Sequence, residues 1–379
     1  MSNIPESSVT FEDQLHDFSW SLYGAIDKTG NTCVSPYSIA TVLLFLMLGT
    51  RGQSKYQISS AVLKDNQLPD DENFQKFKEL NAMMLTGNNG GVELNIATKV
   101  FISNRFTLHD DVKAKAKKFF KSDIGHKNFS KSKIAAKFMN TWITKNTNHK
   151  IKNLISESWL NSMTVMVLVN AVYFKGEWET KFDPSKTKKQ LFFVDKIKVT
   201  QVNMMHIKLR VLYTTDNDYS AIALPYRGNK FEMVFILPKT IDGLNALEAN
   251  ISSELLQHIN SRFKMSTVQI SIPKFVIESE LDLKKVLPKL GITDIFNEAK
   301  SDFSHLIKEH TGKIYVSKAV HKVIVEVNEE GTEASAATVI VVLLRGGPRT
   351  LSFTADHPFL FYIRNKESGT ILFLGRYCS

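Results

Sequence analysis

The stretch EEGTEASAATVIVVLLRGGPR, residues 329–349, combines features that ordinary strands and loops do not share. A charged lead-in is followed by small residues, then by six large apolar residues, and Arg345 precedes two glycines and a proline. Alternate residues of a strand point to opposite faces. On this rule the face that runs from Thr332 to Leu344 carries no charge, and the other face is charged only at Glu333 and Arg345. The pattern is that of a strand able to enter a sheet.

The residues before this stretch, KAVHKVIVEVNEEG (318–331), already have the pattern of a strand. Joined, the two segments make a strand of about twenty residues, whereas strands rarely exceed about ten. One physical resolution is that the second segment is a strand for only part of the time. In one state it is an exposed loop with Arg345 at its tip, and in the other it pairs within a sheet, with Gly331 and Thr332 as the fold point.

Composition sets limits on the class of protein. The chain has 379 residues, of which 43% are hydrophobic, so it can bury a large core. Its net charge of +10 makes polyanions such as nucleic acid, anionic membrane or acidic polysaccharide candidate partners, and charge alone does not choose among them. Cys33 and Cys378 lie far apart among apolar neighbours, so we expect reduced, buried thiols rather than a disulfide framework.

The organisation of the chain favours a single domain over residues 1–379, because no repeat, low-complexity segment or Pro/Gly-rich linker interrupts it. The N-terminus lacks the basic and apolar regions of a signal peptide, which predicts a leaderless protein. The longest apolar run, residues 39–49, is too short for a membrane span of about twenty residues and predicts a buried helix. Helical periodicity dominates the first third and short strand patterns follow Thr164, so we expect an α+β fold.

Motifs of known catalytic sites are missing from the sequence. It contains no GxSxG, Walker loop, HExxH, CxxC or GxGxxG, and its histidines lack metal-ligand spacing. We therefore expect neither an enzyme nor a bound metal or cofactor.

Several motifs together resemble those of the serpins. VEVNEEGTEASAAT (325–338) and ADHPFLFYI (355–363) resemble the hinge and closing strand of that family, specifically of its leaderless ovalbumin-like branch. Further resemblance lies in NTCVSPYSIATVLLFLMLGTRGQS, VNAVYFKGEWETKFD, IPKFVIESELDLKKVLPKLGITDIF and FLGRY, in the family's order. Two departures are Ser54, where threonine is usual, and Ser335 within the alanine run. The resemblance implies a single-domain serpin fold: a helix-rich N-terminal part, a large mixed central sheet, smaller sheets and an exposed reactive-centre loop at about 329–350.

The resemblance also assigns site residues. It makes Arg345 and Gly346 the reactive bond, Trp178 part of the breach where insertion begins, and a set of polar residues the shutter beneath the central sheet: Ser35, Ser38, Asn170 and His321. It makes the hinge Glu329, Gly331, Thr332, Glu333, Ala334, Ser335, Ala336 and Ala337. Taken singly, each of these residues is more often an ordinary core or surface residue.

The resemblance implies suicide inhibition of a trypsin-like serine protease. The protease would cleave after Arg345, form a covalent acyl-enzyme, and be trapped when residues from Thr332 onward enter the central sheet. The alternatives are a non-inhibitory serpin acting as a carrier or chaperone, and an enzyme. The small, largely uncharged hinge favours the inhibitor. We expect a monomer without nucleic-acid partners, and leave its location, cytoplasmic or extracellular by leaderless release, undecided.

A lysine-rich region lies between Lys113 and Lys152, with twelve lysines and a single acidic residue, Asp123. Two readings remain open: a solvated basic surface, or a site for heparin or another sulfated polysaccharide that includes Lys113, Lys117, Lys118 and Lys121. Asn128 and Asn250 begin glycosylation sequons, which we expect to be unused in a cytosolic protein.

Overall fold

The computed structural model describes residues 10–64, 68–85, 91–308, 313–330 and 351–379. Within them the α-helices are α1 (Phe11–Ala25), α2 (Pro36–Met47), α3 (Gly52–Leu63), α4 (Asp70–Leu85), α5 (Asp110–Phe120), α6 (Ser132–Asn146), α7 (Leu244–Ala249), α8 (Ser253–Arg262) and α9 (Leu283–Val286). The strands are β1 (Thr32–Val34), β2 (Val92–Ser103), β3 (Ile124–Lys127), β4 (Met166–Gly176), β5 (Lys188–Phe193), β6 (Val199–Thr215), β7 (Tyr219–Pro225), β8 (Phe231–Pro238), β9 (Lys264–Pro273), β10 (Phe275–Asp282), β11 (Val316–Val327), β12 (Leu351–Thr354), β13 (Phe359–Asn365) and β14 (Ile371–Tyr377). The predicted α+β class is confirmed.

Helix boundaries follow from local chemistry at two places. Thr10 caps α1: its Oγ1 accepts the N–H of Asp13, and the Asp13 carboxylate accepts the N–H of Thr10, which satisfies two otherwise free backbone donors. Ser35 caps α2 and Pro36 occupies its first turn, where a missing N–H costs nothing. All but one residue of α2 are buried, as the apolar run 39–49 predicts.

Two sheets carry the fold. In the larger sheet the order is β1-β14-β13-β8-β7-β6-β9-β12, with β5 on β6. The smaller, five-stranded sheet has the order β10-β11-β4-β2-β3. Here β11 and β4 are neighbours and run parallel, from Val316 opposite Met166 to Glu326 opposite Lys175. Their outer neighbours, β10 and β2, run antiparallel to them.

Apolar side chains cover both faces of the five-stranded sheet. One face joins the main core with α2 and the larger sheet. On the other face, Ala135, Met139 and Ile143 of α6 pack in one cluster with Val169 of β4 and Val320 of β11. The parallel pair is therefore buried between two layers, so its polar residues need internal hydrogen-bond partners.

Some sequence expectations differ from the structure in detail. The 12-residue strand β2 lies within the part of the chain where helices were expected. The segment 267–277 is two strands, β9 and β10, separated at Lys274.

Cys33 and Cys378 are free and buried as expected, and burial raises the pKa of both thiols. Ser54 is buried and accepts the N–H of Asp302, so the serine makes a specific contact. No helix in the described ranges is long and apolar enough to cross a membrane.

Candidate functional site

Asn170 and His321 lie directly opposite each other on the parallel strands β4 and β11. Both side chains are fully buried, and His321 Nδ1 lies 2.5 Å from Asn170 Oδ1. The contact joins the two strands through side chains, in addition to the backbone ladder.

All four hydrogen-bonding positions of the Asn170 amide are occupied. Its oxygen faces His321 Nδ1 and accepts from the Ser38 hydroxyl at 2.7 Å. Its nitrogen donates to the Ser38 carbonyl at 2.9 Å and to Thr98 Oγ1, on β2, at 2.7 Å. Because an amide can accept two and donate two hydrogen bonds, the orientation of Asn170 is fixed.

The tautomer of His321 follows from its two contacts. The backbone N–H of Ser35 donates to His321 Nε2 at 3.1 Å, so Nε2 must be unprotonated. The proton then lies on Nδ1, which donates to Asn170 Oδ1. Burial lowers the pKa of His321 to about 3, so the ring is neutral at physiological pH.

Ser35 and Ser38 bring the start of α2 into this network. Ser35 forms the N-cap, and Ser38 lies within the first turn. Through them α2 contacts β11 by way of His321 and β4 by way of Asn170. The structure thus brings Ser35, Ser38, Asn170 and His321 together. Thr98, which the sequence reasoning missed, completes the cluster; its position opposite Asn170 on β2 required the strand register.

Trp178 lies at the end of β4, next to the residues that follow β11. Its indole Nε1 donates to the carbonyl of Asn328 at 2.8 Å, and its backbone N–H donates to the carbonyl of Glu330 at 3.3 Å. The ring is buried and stacks on Tyr226 with centroids 4.6 Å apart and an interplanar angle of 10°. Trp178 therefore anchors the chain where it leaves the sheet.

Glu329 is buried at the same end of the sheet. Lys274 Nζ lies 2.7 Å from one carboxylate oxygen, and the Thr187 hydroxyl donates to the other at 2.9 Å. Burial favours the neutral acid, but the hydrogen bonds from Lys274, from the Glu329 backbone and from Thr187 outweigh burial and hold the pKa of this carboxyl below its usual value. The neighbouring Glu330 pairs with Lys175 at the end of β4. Lys274 and Thr187 carry no sequence signal that links them to Glu329.

The remaining predicted loop residues lie outside the described part of the chain. These are the hinge residues Gly331, Thr332, Glu333, Ala334, Ser335, Ala336 and Ala337, and the reactive bond between Arg345 and Gly346. Their roles stay predictions.

The predicted lysine region is partly neutralised. Lys113, Lys117 and Lys121 line one groove together with His126 beside α5, whereas Lys118 does not line it and places its Nζ 4.5 Å from the ring centroid of Phe119. Lys113 pairs with Asp110 at 3.0 Å. Lys117 and Lys121 have no carboxylate partner among the described residues. The groove also holds Asp123, the acidic residue that the sequence places within the lysine region.

Asn128 and Asn250, which begin the sequons, are both exposed. Asn128 accepts hydrogen bonds from the backbone and hydroxyl of Ser130, the third residue of its sequon. Their lack of glycosylation stays a prediction.

The arrangement of the five-stranded sheet defines what this site can do mechanically. The chain leaves β11 at the sheet end held by Trp178 and Glu329. A segment that turned back there would run antiparallel to β11 and, because β11 and β4 are parallel, antiparallel to β4 as well. The cluster at Asn170 and His321 lies between the two strands that such a segment would separate.

Comparison with known proteins identifies the class of protein that has this fold. The family model described as serpin (serine protease inhibitor) matches residues 13–379. The chain belongs to the serpin family, a family of protease inhibitors.

Individual relatives match over nearly the whole chain. Leukocyte elastase inhibitor of Xenopus tropicalis is 36% identical, with 96% of this chain and 97% of the relative covered. Human neuroserpin (Homo sapiens) is 33% identical, with 96% and 90% covered. A crystal structure of native protease nexin-1 with heparin superimposes with a TM-score of 0.88 at 28% identity, covering 98% of this chain and 99% of the other.

Proposed function

We propose that this serpin inhibits trypsin-like serine proteases as a suicide substrate. The protease cleaves after Arg345, remains attached as an acyl-enzyme, and is trapped when the loop from Thr332 onward enters the five-stranded sheet between β4 and β11. The observation that carries the proposal is the adjacent parallel arrangement of β4 and β11, because the predicted loop follows β11 in the sequence.

Pairing energetics support insertion at this position. A parallel ladder is slightly less stable per residue than an antiparallel one. A strand that enters between β4 and β11 replaces one parallel ladder by two antiparallel ladders, so the number of backbone hydrogen bonds rises. The fourteen residues Thr332–Arg345 span about 46 Å when extended, which is enough to carry an attached protease far along the molecule.

The chemical step follows the general mechanism of serine proteases. The protease serine attacks the Arg345 carbonyl, the bond to Gly346 breaks, and the new amine of Gly346 takes the proton that the protease histidine had accepted. An ester between the protease serine and Arg345 remains. Its hydrolysis requires an intact protease active site, which insertion distorts before water completes the reaction.

Arg345 sets the specificity in this proposal. The planar guanidinium pairs well with a buried carboxylate, as in the primary pocket of trypsin-like enzymes, whereas apolar pockets disfavour it. Arg349 offers a second basic site, but cleavage there would add four residues to the inserting segment and slacken the connection to the protease.

The deciding experiment is incubation with trypsin followed by denaturing electrophoresis. We expect an SDS-resistant complex, which Arg345→Ala abolishes and the matched change Arg349→Ala leaves intact. Mass spectrometry of the fragment released on complex formation should give Gly346 as its first residue. Turnover of the wild-type protein without a complex would instead favour the non-inhibitory carrier or chaperone.

A second candidate function is binding of heparin or another sulfated polysaccharide at the groove lined by Lys113, Lys117 and Lys121. The convergence of these lysines and His126 on one groove supports it, and protease nexin-1, a structural neighbour, was crystallised with heparin. Each phosphate- or sulfate-like contact releases counterions, so the affinity should fall steeply with salt.

Heparin chromatography tests this candidate. Lys113, Lys117, Lys118 and Lys121 changed together to glutamine should lower the elution salt markedly and leave protease inhibition without heparin intact. The matched control changes four other exposed lysines to glutamine and so removes the same charge: Lys188, Lys189, Lys196 and Lys198. Elution of the wild type below about 0.15 M salt would mean that these lysines form only a solvated basic surface. Equal shifts of the elution salt for both variants would lead to the same conclusion.

A further inference from the structure

A cavity of about 450 Å³ lies at the edge of the five-stranded sheet, beside β2. Strand β3 pairs only with Val100–Ser103 of the twelve-residue β2. Over Val92–Lys99, no strand in the described part of the chain covers that edge, and residues of α2, α4, α6 and the end of α5 surround it instead. The volume is within the range of small-molecule sites, about 300–1,000 Å³.

Aromatic side chains form much of the cavity wall. Tyr37 and Phe45 come from α2, Phe120 from the end of α5, and Trp142 from α6. Phe45 and Phe120 are packed edge to face with centroids 5.3 Å apart. Such a wall favours a flat ring system, because rings contribute large apolar contact at a small entropic cost.

The charges around the cavity do not cancel. Lys99 is paired with Asp123 at 2.5 Å, which leaves that pair neutral. Lys121 also lines the cavity and has no carboxylate partner within the described ranges. The cavity is therefore left with one positive charge, which complements a single negative charge on a ligand.

Thr98 connects the cavity to the cluster between β4 and β11. It lines the cavity, and its hydroxyl oxygen accepts from Asn170 Nδ2 at 2.7 Å. A bound molecule would thus lie one hydrogen bond away from the residue that meets His321. Asn81 also lines the cavity, and its Oδ1 accepts from the Tyr37 hydroxyl at 2.7 Å. The amide nitrogen of Asn81 has no hydrogen-bond partner among the described residues.

We infer that this cavity binds an aromatic molecule that carries one anionic group, a carboxylate or a sulfonate. The ring packs against Phe45, Phe120 and Trp142 at the cavity wall, and the anion pairs with Lys121. The inference does not depend on protease inhibition, because it concerns the intact protein alone.

Calorimetric titration of the intact protein with 2-naphthalenesulfonate tests the inference. We expect one site with a Kd of about 0.1 mM, a value typical of a small ligand with one ion pair and one buried ring system. The uncharged 2-naphthalenesulfonamide should bind several-fold more weakly, because it cannot pair with Lys121.

Matched variants locate the site. Lys121→Gln should weaken binding about fivefold, as loss of a partly exposed ion pair predicts. Lys117→Gln, one turn earlier on α5, should leave it unchanged, since Lys117 lines the neighbouring groove and not this cavity. Thr41→Trp should fill the cavity and abolish binding, with circular dichroism confirming that the variant is folded.

The absence of saturable binding below about 1 mM would overturn the inference. Equal weakening by Lys121→Gln and Lys117→Gln, or full affinity in a folded Thr41→Trp variant, would place the probe elsewhere and overturn it as well.

Discussion

Histidine 321 performs its structural role only while it is neutral. Its Nε2 accepts the N–H of Ser35. A second ring proton would lie on Nε2, where it would point at this N–H donor and find no acceptor. The ring is fully buried, and no carboxylate among its described contacts compensates a charge. Protonation of His321 would therefore break the link between α2 and β11.

The stability of the protein should depend on this histidine in acid. The folded-state pKa of about 3 lies below the ordinary value of 6.5, so the unfolded chain binds more protons between these values. This contribution to the free energy of unfolding is complete above pH 6.5 and is lost as the pH falls toward 3. In urea unfolding, His321→Gln should therefore be less stable than the wild type at pH 7, and the difference should shrink by pH 4. The exposed His126→Gln is the control for loss of a histidine elsewhere on the molecule. A difference between His321→Gln and the wild type that is constant with pH would contradict the prediction.

The residues of this cluster could be predicted from the sequence only through the family resemblance. A serine, an asparagine or a histidine between apolar residues has no distinctive spacing. The contact between His321 and Asn170, which are 151 positions apart, depends on the register of the two strands that carry them. Lys274 and Thr187 could not be predicted at all. They reach Glu329 from distant parts of the chain, and a lysine or a threonine between strands is usually a solvated residue.

The sequence around β11 predicts a strand too long for an ordinary sheet. In the structure β11 ends at Val327, and Trp178 holds the next residues at the sheet end. The end of β11 thus lies before the predicted fold point at Gly331 and Thr332. Strand β2 was missed because the alternation that marks a half-buried strand covers only its first four residues, and its last four residues are all buried.

Thr332→Arg should convert the inhibitor into a substrate. The proposed insertion turns Thr332 to the uncharged face of the new strand, and burying an unpaired guanidinium costs several kcal/mol, which slows insertion so that the acyl-enzyme is hydrolysed first. The measurement is the number of inhibitor molecules consumed per trypsin molecule inhibited. Glu333→Arg is the matched control, since Glu333 lies on the face expected to stay exposed and should keep the wild-type ratio. An unchanged ratio for Thr332→Arg would mean that insertion is not the mechanism.

The proposed insertion requires the five-stranded sheet to accept another strand between β4 and β11. The parallel pair β4 and β11 is held by its own ladder and by the cluster around Asn170, while α6 packs across both strands on the other face. Insertion would have to break the ladder between β4 and β11 and displace part of the α6 packing before the new strand forms its own hydrogen bonds. In the proposed mechanism these losses and gains create a kinetic barrier, which the chain crosses after cleavage at Arg345.

Because cleavage allows the chain to cross that barrier, it should raise the melting temperature. In the proposed mechanism the inserted strand adds backbone hydrogen bonds on both edges, each worth about 1 kcal/mol net. It also buries the apolar face between Thr332 and Leu344, and we expect the two gains together to exceed the cost of ordering the segment. We expect a rise of at least about 10 °C when intact and cleaved proteins are compared by scanning calorimetry. A buried, unpaired guanidinium destabilises the inserted state by several kcal/mol, so cleaved Thr332→Arg should show a smaller rise and serves as the control. Equal melting temperatures for intact and cleaved wild-type protein would mean that the five-stranded sheet is already the stable arrangement, and that the trap proposed for Arg345 has no driving force.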